Sequence, residues 1–243
     1  MSDALAASAE QARGLDAAAL RAGVSVDALM ALAGFQSARL TRRLFGTRSE
    51  DLRVAVLAGR GNNGADALGC ARHLAAWGHP VRVLVLADID DPESTYARQA
   101  RAAVAAGAEL RSHNEGFESA LEWTLAGAGA IVDGLLGTGS TGPPRGMMGD
   151  GVRGINSASA AVLSIDLPSG LDASSGEVAG ECVHADATLM LAIAKSGCLA
   201  ESARSIVGQL WLADIGVPAA SYRVVGLAPP DLRGGDLERF ASP

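Results

Sequence analysis

Three polar, glycine-rich segments carry most of the residues able to do chemistry, and each directly follows a short apolar run. They are Gly59-Arg60-Gly61-Asn62-Asn63-Gly64-Ala65-Asp66, the stretch 133–142 from Asp133 to Gly142, and Asp166-Leu167-Pro168-Ser169-Gly170-Leu171-Asp172. The first is a literal Gly-x-Gly-x-x-Gly with Asp88 at the end of the next apolar run, which is a dinucleotide fingerprint of low specificity on its own. Its glycines are expected to take positive φ and to bring backbone N–H groups to phosphate oxygens at a helix start. Asp66 conflicts with an ordinary dehydrogenase, because a carboxylate in the first helical turn repels a pyrophosphate placed there; a helix-dipole or capping role is its bland alternative. The Tyr-x-x-x-Lys of a short-chain reductase is missing as well, since Tyr96 and Tyr222 are followed four residues later by Ala100 and Gly226.

The other two segments supply oxygen. Asp133, Asp166 and Ser169, with Asn63 from the first loop, are hard donors, and the neutral Asn and Ser among them favour a cation of low charge. The alternative is that Asp133 and Asp166 only cap loops through backbone N–H groups. Lys195 is the only lysine in the chain and closes the longest apolar run. In so Arg-biased a sequence it suits a task that needs a compact point charge, such as holding a ligand phosphate, unless its position is chance. His73, His79, His113 and His184 share no ligand spacing and read as packed or surface residues.

Alternating strands and helices must position these groups. Apolar residues recur every three to five positions from Asp16 to Phe45, predicting one helix. Short apolar runs predict strands at 53–58, 81–87, 130–133, 161–166 and 209–213, a weak one at 109–111, and the longest at 185–194. Helices are expected at 63–77, 91–106, 117–126 and 145–158, the first two of them closed by Gly78 and Gly107. Such alternation predicts βαβ units and a mostly parallel sheet with helices on both faces, a Rossmann-like three-layer arrangement. In open sheets of this kind ligands bind beyond the carboxyl ends of the strands, where all three polar segments converge. No linker or repeat divides residues 1–243, so one domain is expected, with a core of roughly 15–217 and a loosely held tail after 227.

With 243 residues and 49% hydrophobic composition the chain can bury a sizeable core, built from aliphatic side chains because aromatics are only 4%. A net charge of −7 without a basic run argues against nucleic acid. Three cysteines without ligand spacing suit a reducing cytoplasm. The acidic start Met1-Ser2-Asp3 is unlike a signal peptide, and no run of eighteen apolar residues predicts a membrane span.

NNGADALG at 62–69, VDGLLGTGSTGPPRG at 132–146 and DLPSGLDASSGEVAG at 166–180 occur in an order and spacing that resembles the NAD(P)HX epimerase family, also called the YjeF N-terminal-domain family, from about Leu15 to Val217. The resemblance implies a Rossmann-like homodimer that converts R- to S-NADHX and NADPHX at ring carbon C6. It also implies a functional partner, an ADP- or ATP-dependent dehydratase that accepts only the S epimer, expected here on a separate chain. Carried over by position, it implies substrate contacts at Asn62, Asn63, Gly64, Ala65, Asp66, Gly137, Thr138, Gly139, Ser140, Thr141, Gly142, Pro143 and Asp166, and potassium at Asn63, Asp133 and Ser169. Asp166 is the expected acid/base, with its pKa raised by shielding, and Lys195 the expected contact to phosphate or carboxamide. Ala65 and Ala67 stand where the family usually has glycine, and would crowd the site if either position needed positive φ or touched the ligand. That departure keeps a catalytically silent nucleotide-binding or dimerisation module as the alternative.

Overall fold

The computed structural model describes residues 6–46, 52–232 and 236–240; the expected acidic start at Met1 to Asp3 lies outside them. The chain opens with β1 (Ala6–Ala7), α1 (Ala9–Arg21) and α2 (Val26–Phe45), and continues with β2 (Val54–Ala58), α3 (Asn62–Ala76), β3 (Val81–Val85) and α4 (Thr95–Ala105). Next come β4 (Glu109–Ser112), α5 (Phe117–Leu125), β5 (Ala130–Gly134), α6 (Met147–Ser157) and β6 (Ala161–Ile165). The last third holds β7 (Ala187–Leu191), β8 (Ala194–Lys195), α7 (Ser196–Leu199), α8 (Arg204–Val207), β9 (Gln209–Ala213), α9 (Ala219–Val224) and β10 (Leu237–Arg239).

Eight strands form one sheet in the order β10-β9-β7-β6-β5-β2-β3-β4, parallel throughout except for β10. Alternation along β2 shows how the layers arise. Val54, Val56 and Ala58 pack with Leu40 of α2 and Leu68, Ala71 and Leu74 of α3. Ala55 and Leu57 face the other way, toward Ala120 of α5 and Val152 and Ile155 of α6. A strand covered on both faces must be apolar at every position, and β2 is buried along its whole length. A third cluster, including Leu167, Leu171, Met190 and Val207, supports the segment that follows β6. No helix among the described residues is long and apolar enough to cross a membrane.

The structure corrects three expectations. The helix expected from Asp16 to Phe45 is two helices, because Gly23 takes φ 95° and Ser25 caps a new start at the backbone N–H of Ala28. The first of them begins at Ala9, where Ser8 and Gln11 form a reciprocal capping box. The apolar run 185–194 is not one strand. β7 ends at Leu191, Ala192 enters the left-handed region at φ 61°, and β8 leaves the main sheet to pair in parallel with β1, Ala7 opposite Lys195. The tail expected to be loosely held returns as β10, antiparallel to β9, because buried Leu237 anchors it and Asp236 pairs with Arg39.

Candidate functional site

The strand order reverses between β2 and β5: chain order runs outward through β3 and β4 on one side, and through β6, β7 and β9 on the other. Loops leaving two neighbouring strands in opposite directions open a crevice between them. The 59–64 turn and the 134–138 loop border it. Gly59 and Gly64 are required for close approach, since a Cβ on Gly59 would lie 1.7 Å from the Leu135 carbonyl oxygen and one on Gly64 1.9 Å from that of Gly59. Contrary to expectation, Gly59, Gly61 and Gly64 do not take positive φ. Proximity, rather than a left-handed turn, explains the glycine spacing. Gly61 caps α3 without a side-chain bond, leaving first-turn N–H groups directed at the crevice.

The crevice deepens into a cavity of about 860 Å³. Of the expected contacts, Asn62, Asn63, Asp66, Gly137, Thr138, Gly139, Ser140, Asp166 and Lys195 line it. Gly64, Ala65, Thr141 and Pro143 do not, and Gly142 lines a smaller neighbouring hollow that shares Gly137 and Ser140. Ala65 and Ala67 are buried in ordinary right-handed helix, away from the cavity wall, and Ala67 packs against Gly134. Their methyls therefore do not crowd the site.

Asp166 and Lys195 form the centre. Asp166 is one of two non-glycine residues among those described with positive φ (69°), a conformation held by its N–H bond to the Leu189 carbonyl. Its carboxylate pairs with the Lys195 ammonium and accepts bonds from the Thr138 hydroxyl at 2.5 Å and backbone N–H at 3.2 Å. Lys195 also donates to the Leu191 carbonyl at 2.8 Å, so protein partners take two of the three ammonium hydrogens while the residue still lines the cavity. The kink at Ala192 is what aims it here rather than along the sheet. Burial works to raise the Asp166 pKa, but the Lys195 charge and the bonds from Lys195 and Thr138 outweigh it and hold the carboxyl below its ordinary value. That is opposite to the raised value expected for an acid/base.

Two neighbouring carboxyls are shifted upward. Burial, then repulsion from Asp166 and Asp16, pushes Asp66 well above the ordinary carboxylate range, with Lys195 only partly opposing it. Loss of hydration on the concave wall raises Asp16 of α1, against the pull of Lys195 and with help from Asp166. Sequence reasoning missed Asp16, as it missed Arg13, Arg60 and Arg145, which also line the cavity. An isolated acid on an Ala-rich helix looks like any solvated residue.

Asp133 and Ser169 lie beneath the cavity rather than on its wall. Asp133 is fully buried, and its carboxylate accepts from the Ser169 hydroxyl at 2.6 Å and N–H at 3.0 Å, the Ser164 hydroxyl at 2.8 Å and the Leu135 N–H at 3.2 Å. Burial raises its pKa against these bonds, and among the described residues no cationic side chain pairs with it. Asn63 donates to the Leu136 carbonyl at 2.8 Å, Ser169 accepts from the Leu136 N–H at 2.9 Å, and the buried Oδ1 of Asn63 has no partner.

Fold and site together define a three-layer α/β protein with a nucleotide-sized cavity at the switch point of a parallel sheet. A family model described as the YjeF-related protein N-terminus matches residues 26–197, and the chain belongs to that family. An NAD(P)H-hydrate epimerase of Rhodopirellula baltica is 35% identical over 80% of this chain and 77% of its own length. A bifunctional NAD(P)H-hydrate repair enzyme of Leishmania infantum is 37% identical over 93% of this chain, which spans 38% of that longer protein. The crystal structure of the yeast protein ynu0 superposes with a TM-score of 0.83 at 22% identity, covering 97% of this chain and 99% of the yeast one, which shows the shared fold.

Proposed function

We propose that this protein is an NAD(P)H-hydrate epimerase, converting R to S at ring carbon C6. The observation that carries the reading is the Asp166–Lys195 pair on the wall of a nucleotide-sized cavity, beside the open N-terminus of α3. The C6 hydroxyl lies next to ring nitrogen N1, whose lone pair can expel it once the oxygen is protonated. The product is a planar, cationic iminium that water can attack from either face. Asp166, held ionised, suits such a cation and can take the proton from incoming water. Oxygen bonded to a cationic centre is strongly acidic, so a carboxylate of low basicity suffices. Lys195 fixes Asp166 in charge and place.

The reading includes a potassium ion held by Asn63, Asp133 and Ser169. The unpartnered Asn63 oxygen and the Asp133 carboxylate, which has no cationic neighbour among the described residues, fit a monovalent ion, and neutral donors around one carboxylate favour low charge. The ion would supply positive charge beside the 134–138 loop and hold it against α3. The reading further includes a cytoplasmic homodimer acting beside a separate dehydratase. Its three described cysteines are free and buried, as a reducing compartment allows. Light scattering tests the dimer.

The function is tested by adding the protein to R-NADHX with an S-specific dehydratase and following recovery of NADH by absorbance. Recovery well above that with dehydratase alone supports the reading; no increase overturns it.

A further inference from the structure

The planar intermediate requires a proton donor for the departing hydroxyl, and Asp166 cannot be that donor while Lys195 keeps it ionised. Two other carboxyls share the cavity. Asp66 is 8% exposed, sits in the first turns of α3, and has two carboxylates near it that work to keep its proton in place. Asp16 differs in access. It opens onto the cavity from α1, where a bulky ligand can reach it and solvent can restore its proton between turnovers.

The first helix is fastened to the site at several points. β1 pairs with the strand that carries Lys195, so that Ala7 stands opposite Lys195 itself. The N–H of Ala9 donates to the Ser174 hydroxyl at 2.9 Å, and Arg13 donates to the carbonyl of Thr138, the residue whose hydroxyl holds Asp166. Helix α1 also packs on α9, where Gln11 reaches the Val225 carbonyl. These contacts hold Asp16 within electrostatic range of both Lys195 and Asp166. The match to the family model begins at residue 26, so this arm lies outside it.

We propose that Asp16 is the proton donor of the epimerisation, delivered to the cavity by the docked N-terminal arm. The proposal rests on the epimerase reading. The Asp16 carboxyl gives its proton to the C6 oxygen, the C6–O bond breaks to release water, and the N1 lone pair forms the N1=C6 bond. A second water then attacks the opposite face, the electron pair returns to N1, and its proton passes to Asp166. Solvent carries that proton back to Asp16, so one water leaves, one enters, and no other reagent is consumed. Desolvation by the cavity wall supports a protonated Asp16 although its side chain stays open to solvent, while Lys195 opposes it and Asp166 favours it; among the described residues Asp66 on α3 and Tyr222 on α9 also lie within electrostatic range.

The test compares Asp16→Asn, Asp16→Glu and Asp66→Asn, with kcat and KM from the dehydratase-coupled assay and nucleotide affinity measured separately. Asp16→Asn is expected to fold and to bind R-NADHX as the wild type does, while kcat falls at least about a hundredfold, the low end for loss of general acid catalysis. The wild-type rate is expected to decline as pH rises, because the donor loses its proton, and the residual rate of Asp16→Asn should lack that decline. Asp16→Glu, which keeps the carboxyl, should recover part of the rate. A near wild-type kcat in Asp16→Asn overturns the proposal, as does a loss confined to KM or a collapse seen only in Asp66→Asn. If Asp16→Asn does not fold, Asp16→Glu decides alone: an unchanged pH profile with no change in kcat counts against a donor at this position. Failure of the wild type to epimerise contradicts the functional reading itself and is seen before any variant is made.

Discussion

A lysine side chain sealed to 4% exposure carries a charge that only a close partner can compensate, and Asp166 is that partner. Lys195→Met should leave the carboxylate buried and unpaired, at a cost of about 3–5 kcal/mol. Urea unfolding should show that loss, and the double variant Lys195→Met, Asp166→Asn should recover most of it; a single variant as stable as the wild type contradicts the pairing. The two shifted carboxyls predict opposite pH responses. The depressed pKa of Asp166 means that its contribution is complete above its ordinary value of 3.8 and fades as pH falls toward the folded value. Asp66 is raised, so its burial weakens the fold as pH climbs above 3.8, and Asp66→Asn should melt higher than the wild type at pH 7 but not at pH 3. An Asp66→Asn variant that melts lower at pH 7 would show the carboxyl to be usefully ionised. Asp166 and Lys195 were legible in the sequence because each ends an apolar run. The direction of their titration was not, since it depends on partners 29 residues apart in the chain that meet only after Ala192 turns.

Helix α2 crosses α3 where two glycines face each other. A Cβ added to Gly34 would lie 2.7 Å from the Gly69 carbonyl carbon, whereas one on Gly69 would meet the Gly34 Cα at 3.3 Å. Gly34→Ala should therefore cost about 1–3 kcal/mol by overpacking, against a gain in helix propensity of at most about 1 kcal/mol. Gly69→Ala should cost less, and the reverse ranking in chemical denaturation would show that the helices yield elsewhere. Ala65→Gly with Ala67→Gly should lower stability by about 0.5–1 kcal/mol per site and leave nucleotide affinity unchanged, because neither methyl lines the cavity. Tighter binding would mean that the methyls reach the ligand after all. Strand and helix types were readable from periodicity and apolar runs. The break at Ala192 was not, because neither its residue type nor its neighbours announce a left-handed turn, and the apolar run continues unbroken through it.

Across the molecule, the reversal of strand order between β2 and β5 puts two loops on one edge, and the residues expected to hold potassium tie those loops together. A ligand bound only by the folded chain stabilises it by about 2.7 kcal/mol at a hundredfold excess over Kd. The melting temperature should accordingly rise in potassium chloride relative to lithium or choline chloride at equal ionic strength, and Asn63→Ala should abolish the difference. Equal melting temperatures in the three salts would contradict the ion site. The convergence of the three polar segments was legible as soon as a parallel sheet was inferred, whereas the return of the tail as β10 was hidden by its turn-rich composition. The central claim is that this cavity lets C6 lose and regain its hydroxyl. The most direct measurement incubates purified R-NADHX with the protein in ¹⁸O-water and resolves the epimers by chromatography with mass detection. Both epimers should appear, and the newly formed S epimer should carry ¹⁸O at C6. An R epimer that persists unlabelled at its starting abundance would contradict it.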